Sequence, residues 1–96
     1  MTAAEFISTL FLARDVSHRV HLSTRSFAKH KALDEFYHGI INHADEFAEM
    51  YQGCYGLIGN IPVRGTKGSK DIVSFLQELA KEIYVSNQYH FCDCVL

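Results

Sequence analysis

Leu33, Phe36, Ile40, Ala44, Phe47 and Tyr51 recur at steps of three and four residues. Such spacing returns to one side of a helix with 3.6 residues per turn, so it predicts one continuous helix over about residues 27–55 carrying a single apolar stripe. A helix of roughly 43 Å, at about 1.5 Å per residue, constrains the chain more than any other feature, because whatever covers its stripe has to lie alongside it. Ser23-Thr24-Arg25-Ser26, rich in residues that cap helix starts, breaks the pattern before it, and Gly53 and Gly56 loosen its end. Upstream, Thr2 and Glu5 form a capping box, and Phe6, Leu10, Ala13, Ser17 and Val20 follow at helical spacing with Ile7 and Phe11 beside them. A first helix over about 3–22 is predicted. Residues 56–69, with four glycines and Pro62, read as a loop. Ser69 is the expected cap of a third helix over about 70–90, in which Ile72, Phe75, Leu76, Leu79 and Ile83 keep the period. The fold expected is all-α: one domain over 1–96, an antiparallel helical hairpin plus a third helix.

Composition narrows the function classes. Hydrophobic residues at 48% and charged residues at 21% over 96 positions exclude a disordered chain. So short a chain buries a modest core, and association with a second copy is expected. A net charge of −2 and the lack of a basic tail oppose nucleic-acid binding and DNA compaction. No leader or membrane-spanning stretch is read, so a cytoplasmic location is expected. Cys54, Cys92 and Cys94 lack disulfide-framework or zinc-knuckle spacing and are expected to be reduced thiols. Arg64, Gly65, Lys67, Gly68 and Lys70 lack the spacing of a phosphate-binding loop.

The central helix carries a second stripe. At 100° per residue, His30, Asp34, Asp45 and Glu49 fall in one sector, well round from the apolar one, together with Ile41 and Ala48. A polar stripe interrupted by apolar residues fits a subunit interface with a polar site. His30 and Asp34 are neighbours four residues apart, as are Asp45 and Glu49. The two pairs are separated by eleven positions, roughly 16 Å along the axis, which no ion with bonds of about 2 Å can span. Two copies packed antiparallel about a twofold axis close the gap, since each brings its His/Asp end opposite the other's Asp/Glu end. Nitrogen and carboxylate ligands suit iron or manganese better than a thiolate zinc site. His18, twelve positions before His30, folds back towards it across a hairpin, with His21 as a competing choice because the turn length is open. His21, His38, His43, Glu35 and Glu46 are expected at the surface, and Tyr37 between core and stripe.

The run His18-(11)-His30-(3)-Asp34-(10)-Asp45-(3)-Glu49, set in HKALDEFYHGIINHADEFAE, resembles the ferroxidase signature of Dps-like mini-ferritins over about residues 5–55. The resemblance implies a ferritin-like bundle and an inter-subunit site at which His18, His30 and Asp34 of one chain face Asp45 and Glu49 of a twofold mate. It implies Fe(II) oxidation by peroxide or O2, with Mn or Zn as other metals for the site, and a homodimer or higher oligomer. Arg19 stands where the family commonly carries tryptophan, and only three helices are read, so the bundle is expected to be completed by a partner chain. The alternative is a non-enzymatic dimeric helical interaction module with a degenerate metal site.

Overall fold

The structure is a computed structural model and describes residues 1–66 and 71–90, with side chains as far as Val85. It is all-helical, with α1 spanning Ala3–Ser23, α2 Phe27–Tyr55 and α3 Ile72–His90. The expected capping box is present at the start of α1: Glu5 N–H donates to Thr2 Oγ1 at 3.1 Å and Thr2 N–H donates to Glu5 Oε1 at 2.9 Å. These contacts draw the Glu5 carboxyl below its ordinary pKa, the Thr2 backbone bond first. Three residues turn the chain, and Ser26 Oγ accepts from Lys29 N–H to start α2. α2 ends where Gly56 takes φ +93°, a conformation costly for any residue with a side chain.

Expected and observed starts differ for α3. Ser69 lies outside the described residues; the helix begins at Ile72, and Asp71 accepts from both Ser74 N–H and Ser74 Oγ–H. An acidic side chain caps helix starts as well as serine does, so α3 starts two residues later than the composition implied.

The core forms where all three helices meet. Leu12, Ala13 and Val16 of α1 pack with Leu33 of α2 and with Ile72 and Leu79 of α3. α1 and α2 are antiparallel, with Phe6 edge-on to Phe47 at one end and His21 against His30 at the other. Arg64 joins Thr9, near the start of α1, to Glu82, late in α3, so α3 also runs antiparallel to α1 and parallel to α2. Parallel neighbours need a long return connection, and residues 56–71 supply it. Ser8 Oγ–H donates to the Pro62 carbonyl at 2.6 Å, and Arg64 Nη1–H to Thr9 Oγ1 at 2.9 Å, which pins this crossover to α1.

Among the described residues, α2 and α3 each approach α1 more closely than they approach one another. An apolar trough remains between them, with Leu10 and Ala13 on its floor, Phe36 and Ile40 on one wall and Leu76 and Ile83 on the other. Phe36, expected in the core, is therefore 39% exposed. No helix among the described residues is long and apolar enough to cross a membrane.

Candidate functional site

The hairpin end of α1 and α2 gathers histidine, tyrosine and aspartate. The three-residue turn sets the register, so that His21 rather than His18 comes level with His30. Their rings stack with centroids 3.8 Å apart and planes 20° from parallel. Each ring bonds the other residue's backbone: His21 Nδ1 lies 2.6 Å from the His30 carbonyl oxygen, and His30 Nδ1 lies 2.7 Å from that of His21. A carbonyl only accepts, so both Nδ1 atoms carry hydrogen, and in the neutral rings both Nε2 atoms carry the lone pair. This is the anchoring that metal-binding histidines use to fix their tautomer. His21, expected at the surface, is buried, whereas His30 is exposed.

Asp34 is half-exposed, one turn along α2 from His30. Its Oδ1 is 3.9 Å from His21 Nε2 and 3.4 Å from His38 Nδ1, and its carbonyl accepts from His38 Nδ1–H at 2.8 Å. His38 itself is exposed, as expected, and so is His43, which lies 3.9 Å from Glu46. Beneath this group, Tyr37 is buried and ringed by histidines: His18 and His38 meet it edge-on at 4.3 Å, and His21 lies at 5.4 Å. Burial, and then the negative charge of Asp34, push the Tyr37 phenol above its ordinary pKa.

The remaining residues of the stripe lie farther down the same helix. Asp45 and Glu49 are exposed and make no hydrogen bond or ion pair among the described residues. α2 is unbroken from Phe27 to Tyr55, so the eleven positions between Asp34 and Asp45 do separate them by roughly 16 Å. Thus one chain brings His21, His30 and Asp34 together, holds His18 against Tyr37, and keeps Asp45 and Glu49 apart from all of them.

The donors have the chemistry of a divalent-cation site, imidazole nitrogen and carboxylate oxygen. The stack limits what they do jointly. A metal lies in the plane of an imidazole that binds it, about 2.1 Å from the nitrogen, and the planes of two stacked rings only 20° from parallel do not meet within that reach. In this arrangement a given ion takes His21 or His30, not both. Among the described residues no three His, Cys, Asp or Glu side chains are gathered closely enough to hold one ion. Cys54 is disulfide-bonded, so the expectation of reduced thiols does not hold there; Cys92 and Cys94 lie outside the described residues.

Comparison with known proteins adds a relationship but no activity. An uncharacterized 14.6 kDa protein in the mobD-ri intergenic region of Enterobacteria phage T4 is 35% identical over 54 residues. That match covers 56% of this chain and 42% of the phage protein, so the chain spans less than half the length of this relative. No solved structure matches. Residues 21–93, which include the whole of α2 with His30, Asp34, Asp45 and Glu49, and His21 but not His18, match a family of unknown function, and the chain belongs to that family, DUF5856.

Proposed function

We propose that this protein binds Fe(II) between two antiparallel copies of itself and oxidises it with peroxide or O2, in the manner of a Dps-like mini-ferritin. The observation that carries the reading is the division of α2: His30 and Asp34 stand at one end of its outer side, and unpaired, exposed Asp45 and Glu49 stand on that same side at the other. Each end is half a ligand set, and a twofold axis across α2 joins unlike halves into two equivalent sites. From α1, His18 or His21 completes the nitrogen ligands; His21 lies 3.9 Å from Asp34 but joins His30 on one ion only once their stacked rings part. Iron is the substrate. Each Fe(II) gives up one electron, two are needed per peroxide, and the carboxylates favour the harder Fe(III) that forms.

Helix order supports the same reading. An antiparallel pair followed by one long crossover into a helix parallel to the second is the connection that ferritin-like bundles use. The trough between α2 and α3 is where such a bundle seats its fourth helix, and the reading assigns that place to a partner chain. The trough and the polar stripe lie on opposite sides of α2, so the two contacts do not compete.

A second reading, a non-enzymatic dimeric helical module, is favoured by the His21–His30 stack, which has to open before both rings meet one ion. Anaerobic calorimetric titration with Fe(II) separates the two. The iron reading expects roughly one to two ions per twofold-related site, as a mixed nitrogen and carboxylate set holds, and loss of binding in Asp45→Ala/Glu49→Ala. No binding, or binding unchanged in that variant, overturns it.

A further inference from the structure

The outer side of the α1–α2 hairpin is polar at both ends and apolar in the middle. On α2, Ile41 lies between the His30/Asp34 end and the Asp45/Glu49 end. Level with it α1 presents Phe11, and the crossover lays Ile61 and Val63 alongside, the four lining one open cleft of about 680 Å³. Phe11 is 46% exposed and Val63 101%. This apolar surface is not offered by a loose segment. The bonds from Ser8 to Pro62 and from Arg64 to Thr9 tie down the chain on both sides of Val63. Holding an aliphatic side chain fully in water gives the monomer nothing; a pre-set apolar contact lowers the ordering cost of association.

The charges on the same face identify the partner. A second copy turned about a twofold axis brings its acidic end against the histidine end of the first, and the reverse. For the two ends to meet, the axis passes midway between them, near residues 39 and 40 of α2. That is the level of Ile41, Phe11 and Val63. The axis that joins the polar ends therefore also lays each apolar cleft on its own copy, giving an apolar centre within a polar rim.

We infer that two copies of this chain dock through Phe11, Ile41, Ile61 and Val63, and that this contact forms without metal. The inference rests on the two-copy reading of the α2 stripe and supplies what that reading lacks, a reason for the copies to meet before iron arrives. Sedimentation of the full chain in EDTA over a concentration series tests it. The wild type is expected to form at least a dimer. Val63→Asp, and separately Phe11→Ser, are expected to raise the dissociation constant by about thirtyfold or more, the loss typical of a central interface residue. Both side chains are exposed, so the far-ultraviolet helical signal stays as in the wild type, which separates lost association from lost folding. A wild type that is monomeric at tens of micromolar overturns the inference. So does a dimer indifferent to both substitutions, since the copies then meet elsewhere, through the trough for instance. Iron titration of the same proteins keeps the two ideas apart: a dimer that loses its association with Val63→Asp yet takes up no iron supports this interface and defeats the ferroxidase reading.

Discussion

Ser17 offers a substitution whose sign runs against the usual outcome of a core change. It lies on the buried side of α1 at 0% exposure, and its hydroxyl oxygen has no hydrogen-bond partner among the described residues. Enclosing a hydroxyl that bonds to nothing costs about 1–3 kcal/mol relative to leaving it in water. Ser17→Ala removes that cost and gains roughly 0.5 kcal/mol of helix propensity. Against this stands the dispersion lost with one oxygen atom, about 0.5 kcal/mol, because the gap left is smaller than a methyl group. The net expectation is a stabilisation of about 1–3 kcal/mol, or a rise in Tm of roughly 5–25 °C for a domain of this size. Urea and thermal unfolding followed by circular dichroism would measure it, in EDTA and at one fixed protein concentration, since a self-associating chain changes its apparent stability with concentration. Ser17→Val is the control: it also removes the hydroxyl but adds bulk to an enclosed site, and overpacking costs about 1–3 kcal/mol. If Ser17→Ala were less stable than the wild type by more than about 0.5 kcal/mol, the hydroxyl would have to be satisfied in solution, and the account of this part of α1 would fail.

Two other predictions concern the site's surroundings and the crossover. The Tyr37 phenol is held above its ordinary pKa of 10.0, by burial first and the Asp34 charge second. Its stabilising contribution is therefore complete below that value and is lost as pH rises through the higher folded-state value; Tyr37→Phe should flatten the alkaline fall in stability and remove one late phenolate from the ultraviolet titration, and an unchanged late step would contradict this. Arg64→Ala deletes bonds to Thr9 and Glu82 whose net worth is about 1 kcal/mol for partly exposed groups, and it should speed proteolysis within residues 56–66, whereas unchanged cleavage would mean that the crossover is held by other contacts.

The helices were legible because their signals are local. The recurrence of Leu33, Ala44 and Tyr51, the Thr2/Glu5 box and the cluster of caps at residues 23–26 each act within a few residues, and no tertiary contact opposes them. Two kinds of feature were not legible. The first is register across the turn. His21 continues the row Ala3, Ile7, Leu10 and Ser17, which faces α2, so its burial was written in the period of α1. That it meets His30 depends on a turn of three residues, Thr24 to Ser26, and spacing does not set that length. The second is what covers a stripe. Phe36 keeps the helical period of the core but looks into the trough, because α3 packs on α1 at a distance from α2. Periodicity says which side of a helix is apolar, and only packing says which part of that side is covered.

The central claim is that α2 pairs with α2 of another copy, His/Asp end to Asp/Glu end. Anomalous diffraction from crystals grown anaerobically with Fe(II) tests it most directly, because iron marks its own position. The account predicts two equivalent iron sites across a twofold axis, each between His30 and Asp34 of one protomer and the partner's Asp45 and the partner's Glu49. Iron held within a single chain, or carboxylates of Asp34 and the partner's Asp45 more than about 6 Å apart, beyond what one ion with bonds near 2 Å bridges, would contradict it.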